Sequence, residues 1–215
     1  MERRLAPRPI VRTADIPATP WQNGGGVQRN LFAWPSADDW RVRVGVAEIE
    51  ADGPFSHFAR VQRTFTIVAG AGVELSIGGA LHRVPPGANP VVFDGGATTT
   101  CRRLGGNSTA LNLMLRGLSG GIRKLKAGTN WGPRTAACGI YTLEPGTCRF
   151  LDEEIQVPEH ALLWFDLAPP ILSFSVDAWA IEVGKATTPP AATETSTERS
   201  TEPWEEPSDE PSEEP

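Results

Sequence analysis

The chain has 215 residues, a formal net charge of −6, and 22 Gly and 20 Pro; that length allows a sizeable core in one large domain or two small ones. Its Arg and Lys are scattered, without the basic stripe of a nucleic-acid binder. Three cysteines without CxxC spacing argue against a disulfide framework or a zinc ribbon, and no apolar run approaches the ~20 residues that cross a bilayer.

Residues 1–16 lack the apolar h-region of a secretion signal, so the expectation is a reduced, soluble, cytoplasmic protein without nucleic-acid or membrane partners. From there on, short segments rich in Val, Ile, Thr, Phe and Trp alternate with Gly, Pro, Asn or Asp punctuation. Strands are predicted at 27–34, 40–50, 61–69, 73–77, 110–116, 140–143, 161–167 and 179–183. No window shows a dependable helical period, which makes the fold class all-β, a sandwich or a barrel. A Gly-Leu-Ser-Gly-Gly run at 117–121 divides the strands. The division suggests a first barrel over 1–120 and a second, degenerate unit over 121–185, with one continuous barrel as the alternative. The basic patch at 123–126 reads as a solvated strand end. Residues 186–215 hold eight Glu, one Asp and one Arg, a net −8 that leaves +2 on everything before them. So little apolar surface cannot repay the entropy of ordering, and this tail is predicted to be disordered, with Trp204 incidental in it.

Strand alternation then sorts side chains by face. In 61–69, Arg63 shares a face with Val61, Phe65, Ile67 and Ala69 and so points into a barrel. A buried guanidinium needs a partner, and its fork suits a carboxylate. Two readings stay open: an internal acid such as Glu48 or Asp166, or a bound ligand. In 40–50, Trp40, Val42, Val44 and Val46 share one face. Arg41, Arg43, Gly45, Ala47 and Ile49 take the other, where the small residues leave room beside Arg43; taken alone, Arg43 reads as solvent-facing. In 111–115, Asn112 and Met114 oppose three Leu; the Asn112 amide could meet a bound carboxylate or satisfy a strand edge. Trp21-Gln-Asn-Gly-Gly-Gly26 has no GK[ST] and no helix after it, so it is read as a tight turn presenting Trp21 and Asn23 at a barrel rim, not as a phosphate loop. His57, His82 and His160 are too scattered for a metal site, and alternation turns His57 away from Ser56 and Phe58. Ser56 has no nearby base for nucleophilic catalysis.

Residues 53–70 resemble a cupin metal motif that has lost its ligands. Cupins usually carry two His one residue apart, then a Glu, then a Gly seven residues after the Glu. Here Gly70 stands seven residues after Arg63, and Ser56 and Phe58 take the His places. A hydroxyl, a phenyl ring and a guanidinium make a poor divalent-metal set, so no metal and no cofactor is expected. The resemblance implies a cation pocket rebuilt for an anion. With Trp21-Gln-Asn-Gly-Gly-Gly26, Asp52-Gly-Pro-Phe-Ser56, Arg63, Gly70 and Asn112-Leu-Met114, the chain resembles the HutD/Ves family over roughly residues 5–185. The resemblance implies a cupin-type fold of two β-barrel units, often a homodimer, with no established catalytic activity. HutD members are associated with histidine utilisation, where they are thought to limit induction by binding a metabolite such as urocanate or formylglutamate. Ves members are associated with cold and stress responses. Asn23 and Gly24 match the family loop, and Phe55, Ser56 and Arg63 its pocket segment. Arg43 matches the Arg of a Trp-Arg-x-Ser-x-Ala segment in which this chain has Val42 for the Trp and Gly45 for the Ser. Trp40, on the face of Val42, is expected to replace the lost ring in part. The acidic tail lies outside the family pattern.

The reading at this stage is a metal-free bicupin that binds a small carboxylate in a regulatory role without catalysis. Arg63 would hold the carboxylate, with Ser56 and Asn112 completing the polar shell. Trp21, Phe55 and Phe58 would form apolar walls, with Asn23, Gly24, Arg43 and Met114 around them. The alternatives are a metal-independent isomerase or epimerase, for which Glu48, His57 or Tyr141 would have to titrate, and a stress-related module whose acidic tail docks a basic partner.

Overall fold

The computed structural model describes residues 7–21 and 24–185, so the acidic tail and Asn23 fall outside the described residues. Each of the eight expected segments falls on a strand, with ends displaced by up to three residues. Leu118–Leu125, Leu-Ser-Gly-Gly-Ile-Arg-Lys-Leu, is a strand that composition conceals. Its small and charged residues have low strand propensity, and its pairing along the whole of Ala178–Lys185 decides the matter.

Residues 19–116 form two antiparallel sheets. The six-stranded one runs Thr19–Pro20, Gly26–Pro35, Trp40–Ile49, Ser108–Arg116, Val61–Gly70, Val91–Asp94. Its inner face is covered by a four-stranded sheet ordered Gly53–Pro54, Thr99–Arg103, Val73–Ile77, Ala80–Val84. Residues 118–185 repeat the arrangement. A five-stranded sheet runs Val11–Arg12, Ala161–Phe165, Ala137–Thr142, Ala178–Lys185, Leu118–Leu125, and a four-stranded one Asn130–Trp131, Leu172–Phe174, Gly146–Phe150, Glu153–Val157. The early strand Val11–Arg12 crosses over to this later half, with Val11 opposite Leu162.

Alternation along each strand feeds the larger cores. Ile49, Phe65, Ile67 and Ala110 meet Val73, Leu75 and Cys101 between the first two sheets. Ile140, Leu163 and Phe165 meet Cys148, Phe150 and Phe174 between the second two. On the opposite faces, Val42, Val44, Val46, Leu111, Leu113 and Leu115 pack against Leu162, Trp164, Trp179 and Ile181, so the two larger sheets lie back to back. Phe32 stacks on Trp164 there, ring centroids 4.0 Å apart. Cys101, Cys138 and Cys148 are free and buried, and burial pushes each thiol up to about 12. Among the described residues no helix is long and apolar enough to cross a membrane.

One face assignment fails at a bulge. Trp34 lies opposite Val42 but Pro35 opposite Trp40, which leaves Arg41 as an extra residue. A one-residue slip moves a side chain to the other face of a sheet. Trp40 therefore leaves the Val42 face and packs on the inner side with Val61, Met114 and Phe58.

Candidate functional site

Register sets inner-face side chains in rows across the six-stranded sheet. Met114 lies between Arg43 on one neighbouring strand and Arg63 on the other. In the next row Asn112 lies between Gly45 and Phe65, with Asn30 beyond Gly45. Neighbouring strands are about 4.8 Å apart, so the two arginine backbones stand roughly 10 Å from each other. These rows floor a cavity of about 390 Å³, walled by residues 54–58 and 19–21.

Arg63 is 7% exposed. Its Nη2 donates to Asn112 Oδ1 at 3.2 Å, while Nε has no hydrogen-bond partner among the described residues. Neither internal acid suggested by the sequence reaches it: Glu48 pairs with Arg29, and Asp166 with Arg8 at 2.8 Å. Phenyl rings surround it, with Cζ 4.8 Å from the Phe55 centroid, 5.2 Å from Phe93 and 5.9 Å from Phe58. Burial lowers its pKa to about 10, which still leaves a full positive charge at neutral pH. A guanidinium only donates, so Asn112 must turn its carbonyl toward Arg63; its two amide hydrogens are then free for an acceptor. Arg43 Nε is also buried and unpartnered, with Cζ 4.6 Å from the Trp40 ring centroid. Burial and, to a lesser degree, the nearby Arg116 charge lower its pKa.

Of the residues singled out by sequence, Trp21, Arg43, Phe55, Ser56, Phe58, Arg63, Asn112 and Met114 all line this one cavity. Trp21 meets Phe55 edge-on, centroids 6.2 Å apart. Gly24 is not on the wall: at φ +69° its N–H donates to the Trp21 carbonyl and closes the turn. Asn23 lies outside the described residues. His57 corrects the alternation argument, since it lines the same cavity as Ser56 and Phe58. Residues 55–58 are not a strand, so no two-residue period governs them. Glu48 is tied to Arg29, and Tyr141 is buried at the back-to-back contact beside Thr13, its hydroxyl 3.2 Å from Oγ1; neither lines the cavity.

Gln28 and Asn30 also line the cavity and were missed. The available signal was a pair of amides two residues apart on one strand, but its register against 40–49 is not visible in a single sequence. Gly45 creates part of the space, because a Cβ there would stand 2.9 Å from the Arg29 carbonyl and 3.5 Å from Asn30 Oδ1. Among the described residues no three of His, Cys, Asp and Glu gather as a metal set. Ser56, Phe58 and Arg63, the residues set against cupin metal ligands in the sequence comparison above, line one space.

A family model described as HutD matches residues 13–132. A Pseudomonas putida relative, named as an uncharacterized 21.2 kDa protein in the hutC 3' region, is 33% identical over 49% of this chain and 56% of its own length. The chain thus spans little more than half of that relative. Protein Ves of Cronobacter sakazakii is 26% identical over 69% of this chain and 82% of its own. Among solved structures, HutD from Pseudomonas fluorescens SBW25 gives a TM-score of 0.72 at 22% identity, covering 83% of this chain and 98% of that one. A conserved protein of unknown function from Pseudomonas aeruginosa PAO1 gives 0.73 at 21% identity, covering 82% and 98%. At such identity the structures speak for the fold alone, and they bear out the all-β architecture.

Proposed function

The chain belongs to the HutD family, and from that premise we propose that its cavity is a metal-free, non-catalytic receptor for a small carboxylate metabolite, urocanate- or formylglutamate-like, with a regulatory role in histidine utilisation. The observation that carries this reading is the Arg63 guanidinium, buried in the cavity wall with an unpartnered Nε and no acid beside it among the described residues. A guest carboxylate would accept from Nε and from the guanidinium hydrogens that Asn112 leaves unused, while the Asn112 amide and the Ser56 hydroxyl supply further donors. Phe55, Phe58 and Trp21 supply apolar walls, and about 390 Å³ is within the usual range for small-molecule sites. The pathway reading draws on the printed names of the relatives, one in the hutC 3' region and one HutD itself. An isomerase would need a titratable pair at the substrate, and of the three candidates only His57 lines the cavity.

Titration calorimetry of urocanate and N-formylglutamate against the natural chain and Arg63→Gln tests the proposal. Removing one partner of a buried charge pair costs about 2–5 kcal/mol, so affinity should fall at least about thirtyfold while the far-UV spectrum stays that of a β protein. Equal affinity in the variant, or no heat from either carboxylate with the natural chain, rejects it.

A further inference from the structure

We infer that the acidic tail, residues 186–215, docks in cis on an arginine patch made by Arg41, Arg43 and Arg116, beside the point where the chain leaves its last strand. Arg43 and Arg116 hold their Cζ atoms 4.6 and 4.7 Å from the Trp40 ring centroid. Arg41 donates from Nη2 to the Gly117 carbonyl at 3.1 Å and lies 6.0 Å from the ring of Trp34, a large apolar side chain that is 41% exposed. Like charges so close raise each other's energy unless an anion is near, and Arg116 already lowers the Arg43 pKa. Yet among the described residues no carboxylate pairs with any of the three. Arg8, Arg102, Arg103, Arg123 and Arg149 each have an acid. Asp38 and Asp39, on the adjoining turn, make no ion pair with the patch.

The exit of the tail is fixed next to this cluster. Lys185 pairs with Leu118, and Ser119 Oγ donates to the Lys185 carbonyl at 2.7 Å. Leu118 is one residue from Gly117 and two from Arg116, which puts the start of the tail within about 10 Å of the patch. The following thirty residues carry net −8. Thirty residues can reach up to about 100 Å, so length does not limit the contact. The inference stands independently of the carboxylate reading, although Arg43 belongs to both the patch and the cavity wall.

The test uses the full chain with its tail neutralised: Glu194→Gln, Glu198→Gln, Glu202→Gln, Glu205→Gln, Glu206→Gln, Asp209→Asn, Glu210→Gln, Glu213→Gln and Glu214→Gln. The probe is a synthetic peptide of residues 186–215, titrated by calorimetry. The peptide should bind the neutralised chain at about 20 mM salt and at least tenfold more weakly at about 300 mM, where screening shortens. It should bind the unmodified chain at least tenfold more weakly, because that chain's own tail holds the patch. Adding Arg41→Gln and Arg116→Gln, both exposed positions, to the neutralised chain should abolish binding. No binding to the neutralised chain, equal binding to the unmodified chain, or indifference to the arginine substitutions overturns the inference. Concentration-dependent self-association of the unmodified chain, lost on neutralisation, would give the patch to the tail of a second copy and overturn docking in cis.

Discussion

Burial of the Arg63 guanidinium disfavours its charged form and lowers its pKa to about 10, a shift worth roughly 3 kcal/mol. The phenyl faces around it offset part of that cost. The unfolded chain holds this proton more tightly than the fold does in the window from about pH 10 up to the ordinary arginine range. The contribution of the group to stability therefore rises with pH across that window, and at neutral pH the full penalty is present. Arg63→Met keeps the length and removes the charge, so the melting temperature of the empty protein should rise by several degrees, equivalent to about 1–2 kcal/mol. A fall in melting temperature would instead mark Arg63 as a structural pin. Its inward direction was legible from Phe65 and Ile67 two and four residues on. Its lack of an acid was not, because the Glu48–Arg29 pair depends on how Gly26–Pro35 registers against Trp40–Ile49.

At the scale of the strand, Gly70 explains why its spacing from Arg63 is part of the motif. It ends Val61–Gly70 at φ +92°, and a Cβ there would stand 2.2 Å from the Asn107 carbonyl oxygen and 2.7 Å from Ser108 Cα. Both obstacles are backbone, so Gly70→Ala meets a strained dihedral and a clash together. It should destabilise the protein by about 3 kcal/mol or more, read from the denaturant midpoint at unchanged m-value. A loss under about 1 kcal/mol would show that Asn107–Ser108 yields easily and that the glycine is not required. Alternation read the strand 61–67 and the Leu111–Leu115 run correctly because both are regular there. It failed at Trp40 and His57, one beside a bulge and the other in an irregular segment. Bulges and loop paths depend on strands that pair from far along the chain, and one sequence carries little trace of them.

At the scale of the molecule, the halves share a core instead of meeting at a polar boundary. The glycine-rich run at 117–121 lies where Ser108–Arg116 gives way to Leu118–Leu125. The two-residue crossing of Val11–Arg12 had no signature, being too short for any periodicity. That crossing matters: Arg8 pairs with Asp166 of the later half while its Cζ lies 5.3 Å from the ring of Phe32 in the earlier one. Leu113, fully buried, stands on the back face of the six-stranded sheet among Val44, Leu111 and Leu115, in the cluster that includes Trp164 and Ile181. Removing apolar volume there weakens the contact on which both halves depend. Leu113→Ala should cost about 2–5 kcal/mol, and calorimetry should show one unfolding transition moving as a unit. Two resolved transitions, only one of them shifted by the substitution, would mean that each half is held by its own interior core and that the back-to-back layer contributes little.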